Sequence, residues 1–221
     1  MRIVFVRHGD PDYARDCLTE AGKLQAEKAA KRVAGEGICK IYASSCGRAL
    51  ETASYTAKRL GLEITPLDFM REIGWSGEDE RLWHGHPWTC ADDMRLKDGA
   101  DLLDASWREH PHFKQNRVLS FVDAIPPEFD RLLAQHGFER EGGLYRCTRD
   151  NPETIAVFSH QGSSSVVLAH LLGMPFAYFC SLCPLDLTSV TVVTLCGQKG
   201  GLTIPKLEIL NDARHLRNEN A

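Results

Sequence analysis

The 221-residue chain is 43% hydrophobic and 25% charged, which excludes a collagen-like, coiled-coil or wholly disordered protein and leaves an ordinary globular one. Its 26 Lys plus Arg stand against 30 Asp plus Glu, and the formal charge of −4 offers no global attraction to nucleic acid or an anionic membrane, so neither is expected as a partner. An anionic ligand must instead be held by a local cluster of basic groups.

An unbroken apolar run at 3–6 predicts a strand buried on both faces. Asp16 to Thr19 then leads into an Ala-, Lys- and Glu-rich helix ending at Val33, with Gly35 and Gly37 closing it. A second strand is expected at 38–43, a helix at 48–60 stopped by Gly61, and a third strand at 63–67. Between residues 71 and 152 this rhythm stops. That stretch holds all four Trp and the Pro126-Pro127 break, and helical periodicity returns in it at 129–135. The buried-strand signature reappears at 154–158, followed by a helix at 164–172 and two closing strands at 187–195 and 203–209, the former dense in β-branched residues. The alternation predicts an α/β fold, three-layer α/β/α, with a mostly parallel sheet, one antiparallel edge strand and a helical cap insertion at 71–152, all in a single domain spanning 1–221.

The eight cysteines contain one close pair, Cys180-Ser181-Leu182-Cys183, without the partner residues that make zinc ligation probable at such spacing, and they are read as packing residues. A chain of this length needs no disulfide staples. The N-terminal apolar run is too short for a signal peptide, and nothing approaches the ~18 apolar residues of a membrane span. A reducing cytoplasm is the expected compartment, no metal or cofactor is expected, and oligomeric state leaves no signature.

In an open parallel sheet, ligands bind beyond the carboxyl ends of the strands. The first strand runs out into Arg7-His8-Gly9-Asp10, and the second through Ser44-Ser45-Cys46-Gly47 into Arg48. The third leads to Arg71-Glu72, and the strand at 154–158 to Ser159-His160-Gln161-Gly162. Arginines, histidines and a glutamate gathered on one edge suit phosphoryl transfer. Guanidinium forks take the equatorial oxygens, a neutral imidazole is the nucleophile, and a carboxylic acid protonates the leaving oxygen. Backbone N–H groups at the helix starts near Arg48 and Gly162 extend the cradle. The candidate substrate-binding set is Arg7, Gly9, Asp10, Arg48, His160 and Gln161, and the ligand a small-molecule phosphoester.

Five blocks in this order carry a family resemblance: Arg7-His8-Gly9, Leu18-Thr19-Glu20-x-Gly22-x-x-Gln25-Ala26, Tyr42-Ala43-Ser44-Ser45-x-x-x-Arg48-Ala49-x-Glu51-Thr52-Ala53, Glu72, and Ser159-His160-Gln161-Gly162. Together they resemble the histidine phosphatase superfamily, the phosphoglycerate mutase-like proteins. The resemblance covers the two ends of the chain, and the middle insertion is the family's variable region. It implies that His8 is the phosphorylated nucleophile, its other ring nitrogen held by a backbone carbonyl. It further implies that Arg7, Arg48 and His160 form the phosphate pocket and that Glu72 is the general acid, then base, with no metal required.

The chain departs from the family pattern in three places. Asp10, Pro11 and Ala14 stand where side chains usually help hold the phosphate. The loop after Glu72 reads Ile73-Gly74-Trp75-Ser76-Gly77-Glu78 rather than the usual order, which leaves Asp10 and Glu78 as alternative acids. The Arg-Arg-containing, proline-rich segment associated with true cofactor-dependent phosphoglycerate mutases is lacking. The expected activity is hydrolysis of a phosphomonoester through a phosphohistidine on His8. The alternatives are a phosphoglycerate mutase using the same intermediate, and a non-catalytic phospho-ligand binding module. Trp75, Arg81, Trp83, His84, His86 and Trp88 have two readings: a substrate pocket above the phosphate site, or tryptophans that form the insertion's own core with His84-Gly85-His86 as a turn.

Overall fold

The computed structural model describes residues 1–75 and 86–217. Its elements run in chain order β1 (Arg2–Arg7), β2 (Pro11–Asp12), β3 (Cys17–Leu18), α1 (Glu20–Val33), β4 (Ile38–Ser44), α2 (Gly47–Leu60), β5 (Ile64–Leu67), α3 (Pro87–Leu96), α4 (Pro111–Lys114), α5 (Val118–Gln135), β6 (Phe138–Glu141), β7 (Leu144–Cys147), β8 (Thr154–Ser159), α6 (Gln161–Leu172), α7 (Phe176–Leu182), β9 (Val190–Thr194), β10 (Leu202–Thr203) and β11 (Lys206–Asp212).

Six strands form the central sheet in the order β11-β9-β1-β8-β4-β5, and β1, β8, β4 and β5 are parallel to one another. Successive side chains on β1 face opposite ways. Val4 and Val6 pack with Val33, Ala53, Ala57 and Phe158 on the side of α1 and α2. Ile3 and Phe5 pack with Phe129, Leu132, Val157 and Leu168 on the side of α5 and α6. Both faces are covered, so neither tolerates polar residues, and the apolar run is unbroken for that reason. The Phe5 and Phe129 rings stack at 5.8 Å.

The helix boundaries follow local chemistry. Thr19 caps α1, its Oγ1 accepting from the Gly22 N–H at 3.0 Å. Gly61, at φ 68°, closes α2 in the left-handed conformation that glycine adopts without strain. Among the described residues, no single helix is long and apolar enough to cross a membrane. The cysteines are free, and Cys180 packs in the core beside α6 and α7.

Three expectations are corrected. The antiparallel strand is not at the edge: β9 lies between β1 and β11, antiparallel to both, so the edge strand β11 runs parallel to β1. The connection from β9 to β11 is short, which suits antiparallel neighbours and is too short for a parallel crossover.

The stretch at 71–152 is also less uniformly helical than expected. It contains the β6-β7 hairpin, which β10 joins to make a three-stranded sheet. Its turn is Gly142-Gly143, with Gly142 at φ 61°, the kind of pair that matches the twist of a tight hairpin.

Pro126 and Pro127, finally, do not break the chain but lie inside α5. An interior proline costs roughly 3 kcal/mol by freeing the carbonyl four residues back. Burial of Ile125, Phe129, Leu132 and Leu133 along the same helix offsets this.

Candidate functional site

Because β1, β8, β4 and β5 are adjacent and parallel, their carboxyl ends lie along one edge of the sheet. The His8 N–H donates to the Ser159 carbonyl at 2.9 Å, carrying the β1-β8 ladder one residue beyond the strands. His8 and His160 are both buried, with ring centroids 5.1 Å apart.

The two imidazoles are held by different nitrogens. His8 Nδ1 is 2.7 Å from the carbonyl of Gly9, an arrangement that places the proton on Nδ1 and leaves Nε2 as the basic nitrogen. Burial, reinforced by the charges of Arg7 and Arg48, lowers the His8 pKa to about 4, so the ring is neutral at physiological pH. His160 Nε2 pairs with Ser44 Oγ at 2.8 Å. Its Nδ1 is buried without a partner. Burial and the neighbouring His8, Arg48 and Arg7 lower the His160 pKa to about 2.

The two arginines are each anchored by Nη1. Arg7 Nη1 donates to Gln161 Oε1 at 3.0 Å and to the Leu185 carbonyl at 2.6 Å. Arg48 Nη1 donates to Asp16 Oδ1 at 2.5 Å. In both residues Nε is buried and unpartnered. Gln161, the first residue of α6, therefore meets Arg7 directly.

Glu72 lies at the N-terminus of α6. Its Oε1 accepts from the N–H groups of Gly162 at 3.0 Å, Ser163 at 3.2 Å and Ile73 at 3.0 Å. Burial raises its pKa above the usual carboxylate value, against the pull of the Ile73 and Ser163 N–H groups and of Arg7. The approach requires glycine at 162, since a Cβ there would come within 2.6 Å of Glu72 Oε1.

Two of the expected ligand contacts are engaged elsewhere. The Asp10 carboxylate accepts from Thr19 Oγ1 at 2.6 Å, and its N–H donates to Gln25 at 2.7 Å, so it secures the start of α1. The Gly9 N–H donates to Thr52 Oγ1 at 3.1 Å. Glu78, Arg81, Trp83 and His84 lie outside the described residues. Trp75 packs edge-on against Phe113 at 5.4 Å, Trp88 packs against the main core, and His86 stacks on Trp88 at 4.8 Å. For Trp75 and Trp88 the packing favours the core reading, whereas His86 is exposed.

The sequence reading missed Asp16, Ser44 as a partner of His160, and Arg71. Arg71 Nη1 donates to Ser45 Oγ at 3.2 Å, and its charge is among those that lower the His160 pKa. Adjacency to Glu72 was the available signal for Arg71; Asp16 gave none, because its partner is 32 residues away. Among the described residues, no group of three or more His, Cys, Asp or Glu side chains is arranged to hold a metal ion.

Comparisons with known proteins bear on the family and the fold. A probable phosphoglycerate mutase GpmB from Salmonella arizonae is 27% identical over 156 residues, covering 62% of this chain and 70% of the relative. The structure of a mycobacterial glucosyl-3-phosphoglycerate phosphatase superposes with a TM-score of 0.62 at 25% identity, covering 95% of this chain and 98% of the other. The α-ribazole phosphatase of Shigella flexneri shares the fold, with a TM-score of 0.62 at 22% identity over 96% of this chain and 97% of its own. The model of the histidine phosphatase superfamily (branch 1) matches residues 3–138, more than half of the sequence, and the chain belongs to that superfamily.

Proposed function

We propose that the protein hydrolyses a phosphomonoester of a small metabolite through a phosphohistidine on His8. One observation carries the reading. Arg7 Nε, Arg48 Nε and His160 Nδ1 are buried without a hydrogen-bond partner, and the charges of Arg7 and Arg48 act on both buried imidazoles. A buried donor left unpaired costs about 1–3 kcal/mol. An oxyanion bound beside His8 would give the two Nε donors, and a His160 carrying its proton on Nδ1, the partners they lack.

In the first step His8 Nε2 attacks phosphorus, the P–O bond to the leaving group breaks, and the Glu72 carboxyl gives its proton to the departing oxygen. The raised pKa of Glu72 supports the acid role. The Gly9 carbonyl stabilises the positive charge that develops on the ring through the Nδ1 proton. In the second step Glu72, now a carboxylate, takes a proton from water. The resulting hydroxide attacks phosphorus, the N–P bond breaks, and phosphate leaves. Arg7, Arg48 and His160 hold the phosphoryl oxygens throughout. The free cysteines support a reducing, cytoplasmic setting.

The name of the GpmB relative favours a second reading, phosphoglycerate mutase activity, in which the same phosphohistidine returns its phosphoryl group to an organic acceptor. Phosphate release over a panel of phosphorylated metabolites separates the two. Hydrolysis releases stoichiometric phosphate without a bisphosphorylated primer; a mutase needs the primer and releases little. His8→Ala should abolish turnover and the base-stable, acid-labile label. A label mapped to another residue would overturn the mechanism.

A further inference from the structure

The short hairpin of β2 and β3 lies against the start of α2, and two of its side chains grip Arg48. The guanidinium carbon of Arg48 is 5.5 Å from the centroid of the Tyr13 ring. Asp16 bridges two groups: Oδ1 accepts from Arg48 Nη1 at 2.5 Å, and Oδ2 accepts from the backbone N–H of Gly47 at 2.7 Å. Gly47 is the first residue of α2, and its N-cap, Cys46, makes no side-chain capping bond. Asp16 thus satisfies an amide that helix geometry leaves open and sits at the end of the helix dipole that favours an anion. The contact is close, since a Cβ on Gly47 would fall 2.1 Å from the Asp16 carbonyl oxygen. Asp16 itself has φ 48°, a left-handed conformation that a non-glycine residue keeps when its surroundings hold it there.

A guanidinium can meet an oxyanion end-on through both Nη atoms or side-on through Nε and Nη2. An arginine whose Nη1 is bonded within the protein keeps its Nε–Nη2 edge whole, while the end-on pair must share Nη1 with that bond. Arg48 is anchored in this way by Asp16, and Arg7 in the same way by Gln161 and the Leu185 carbonyl. In both, Nε is buried and has no partner. The repeated pattern at two unrelated positions in the chain is what singles out Asp16.

We propose that Asp16 is a positioning residue for phosphoryl binding: by holding Nη1 of Arg48 it turns the Nε–Nη2 edge of that guanidinium toward the phosphoryl oxygens. This rests on the phosphohistidine reading above. A carboxylate acting as a competing anion would behave oppositely, because its removal would free Arg48 and tighten phosphate binding.

The test compares the full-length wild type with Asp16→Ala, Asp16→Asn, Arg48→Ala and the Asp16→Ala/Arg48→Ala double variant. It measures kcat and KM for p-nitrophenyl phosphate, and separately the affinity for inorganic phosphate by calorimetry. Asp16→Ala should lose about tenfold to a hundredfold in kcat/KM, the scale of a misplaced binding group, and should bind phosphate more weakly. Asp16→Asn keeps an oxygen for Arg48 Nη1 and tolerates the positive φ, so it should recover most of both. In the Arg48→Ala background Asp16→Ala should have no further effect, whereas a merely structural role would add to it.

Unchanged or tighter phosphate binding in Asp16→Ala overturns the proposal while leaving the phosphatase reading intact. A wild type that binds phosphate but never turns over refutes the phosphatase reading, and the phosphate affinities then decide on Asp16 by themselves. A wild type that neither binds phosphate nor releases it refutes both.

Discussion

Gly162→Ala is the most informative single perturbation of the site, because helix propensity and the site's geometry act on it in opposite directions. Residue 162 is the second residue of α6, where alanine gains about 1 kcal/mol over glycine in propensity. The added Cβ, however, would lie 2.4 and 2.5 Å from Cγ1 and Cδ1 of Ile73 and 2.6 Å from Glu72 Oε1. Ordinary contact begins at about 3.5 Å, so these atoms must retreat by roughly 1 Å. All three belong to side chains that can swing, so the backbone need not yield. The carboxylate then loses its bonds to the Gly162 and Ser163 N–H groups, at about 1–3 kcal/mol.

The net stability change is a loss of about 0 to 2 kcal/mol, less than about 8 °C in Tm for a chain of this size. The catalytic loss is larger, about a hundredfold in kcat, because the acid is displaced by a sizeable part of a hydrogen-bond length. The assay compares p-nitrophenyl phosphate with an alkyl phosphate. The nitrophenolate departs without protonation and the alkoxide does not, so the alkyl ester should suffer more. Glu72 also serves both substrates as the base of the second step, so the comparison is made in kcat/KM, which reports phosphorylation; wild-type kcat/KM on the alkyl ester, or equal losses of kcat/KM on both substrates, would refute the placement of the acid at Glu72.

The remaining predictions concern pH and the core. The kcat/KM profile should be bell-shaped: its acid limb, near pH 4, is protonation of His8, and its alkaline limb is deprotonation of Glu72 at its raised pKa; Glu72→Gln should remove the alkaline limb and leave the acid one. Stability should fall as pH drops below 6.5. His8 and His160 resist protonation when folded, with pKa values of about 4 and about 2, whereas the unfolded chain takes up both protons near the ordinary imidazole value. The slope approaches about 1.4 kcal/mol per pH unit for each histidine. Thermal melts at pH 7.5 and 5 check the sign, and a His160→Asn variant should flatten the dependence. Phe129→Ala, which empties a fully buried site between α5 and β1, should cost about 3–5 kcal/mol, read as a lower denaturant midpoint at unchanged slope.

The sheet was legible because its signals are local. Ile3 to Val6, Thr154 to Phe158 and the glycines at 61 and 173 announce buried strands and helix ends within a few residues. Their parallel arrangement then follows from the alternation of elements. The stretch at 71–152 was harder to read because long-range contacts decide its structure. Pro126 and Pro127 look like a break within a short window, yet α5 keeps its helical path because Phe129 docks on Phe5, more than a hundred residues earlier in the chain. The β6-β7 hairpin carried a usable signal in Gly142-Gly143 between alternating residues, and helical periodicity just before it obscured that signal. The position of β9 inside the sheet depends on pairing with β1 across the whole chain, which no local pattern encodes.

The same distinction divides the site. Arg7, His8, Arg48, Glu72 and His160 could be picked out because each stands at or after the carboxyl end of a strand, and the topology carries all those ends to one edge. What such a position does not reveal is the use of each atom. Asp10 stands beside His8 in sequence, yet its carboxylate is taken by Thr19, whereas Asp16, six residues further along and without a motif, reaches Arg48. The difference arises from the short β2-β3 hairpin, which turns the chain so that residue 16 meets the first turn of α2. A longer or shorter loop there would set Arg48 differently while leaving every motif residue unchanged. The setting of Arg48 therefore depends on loop length as well as on residue identity, and lengthening the Pro11–Leu18 loop by a residue should weaken phosphate binding as Asp16→Ala does.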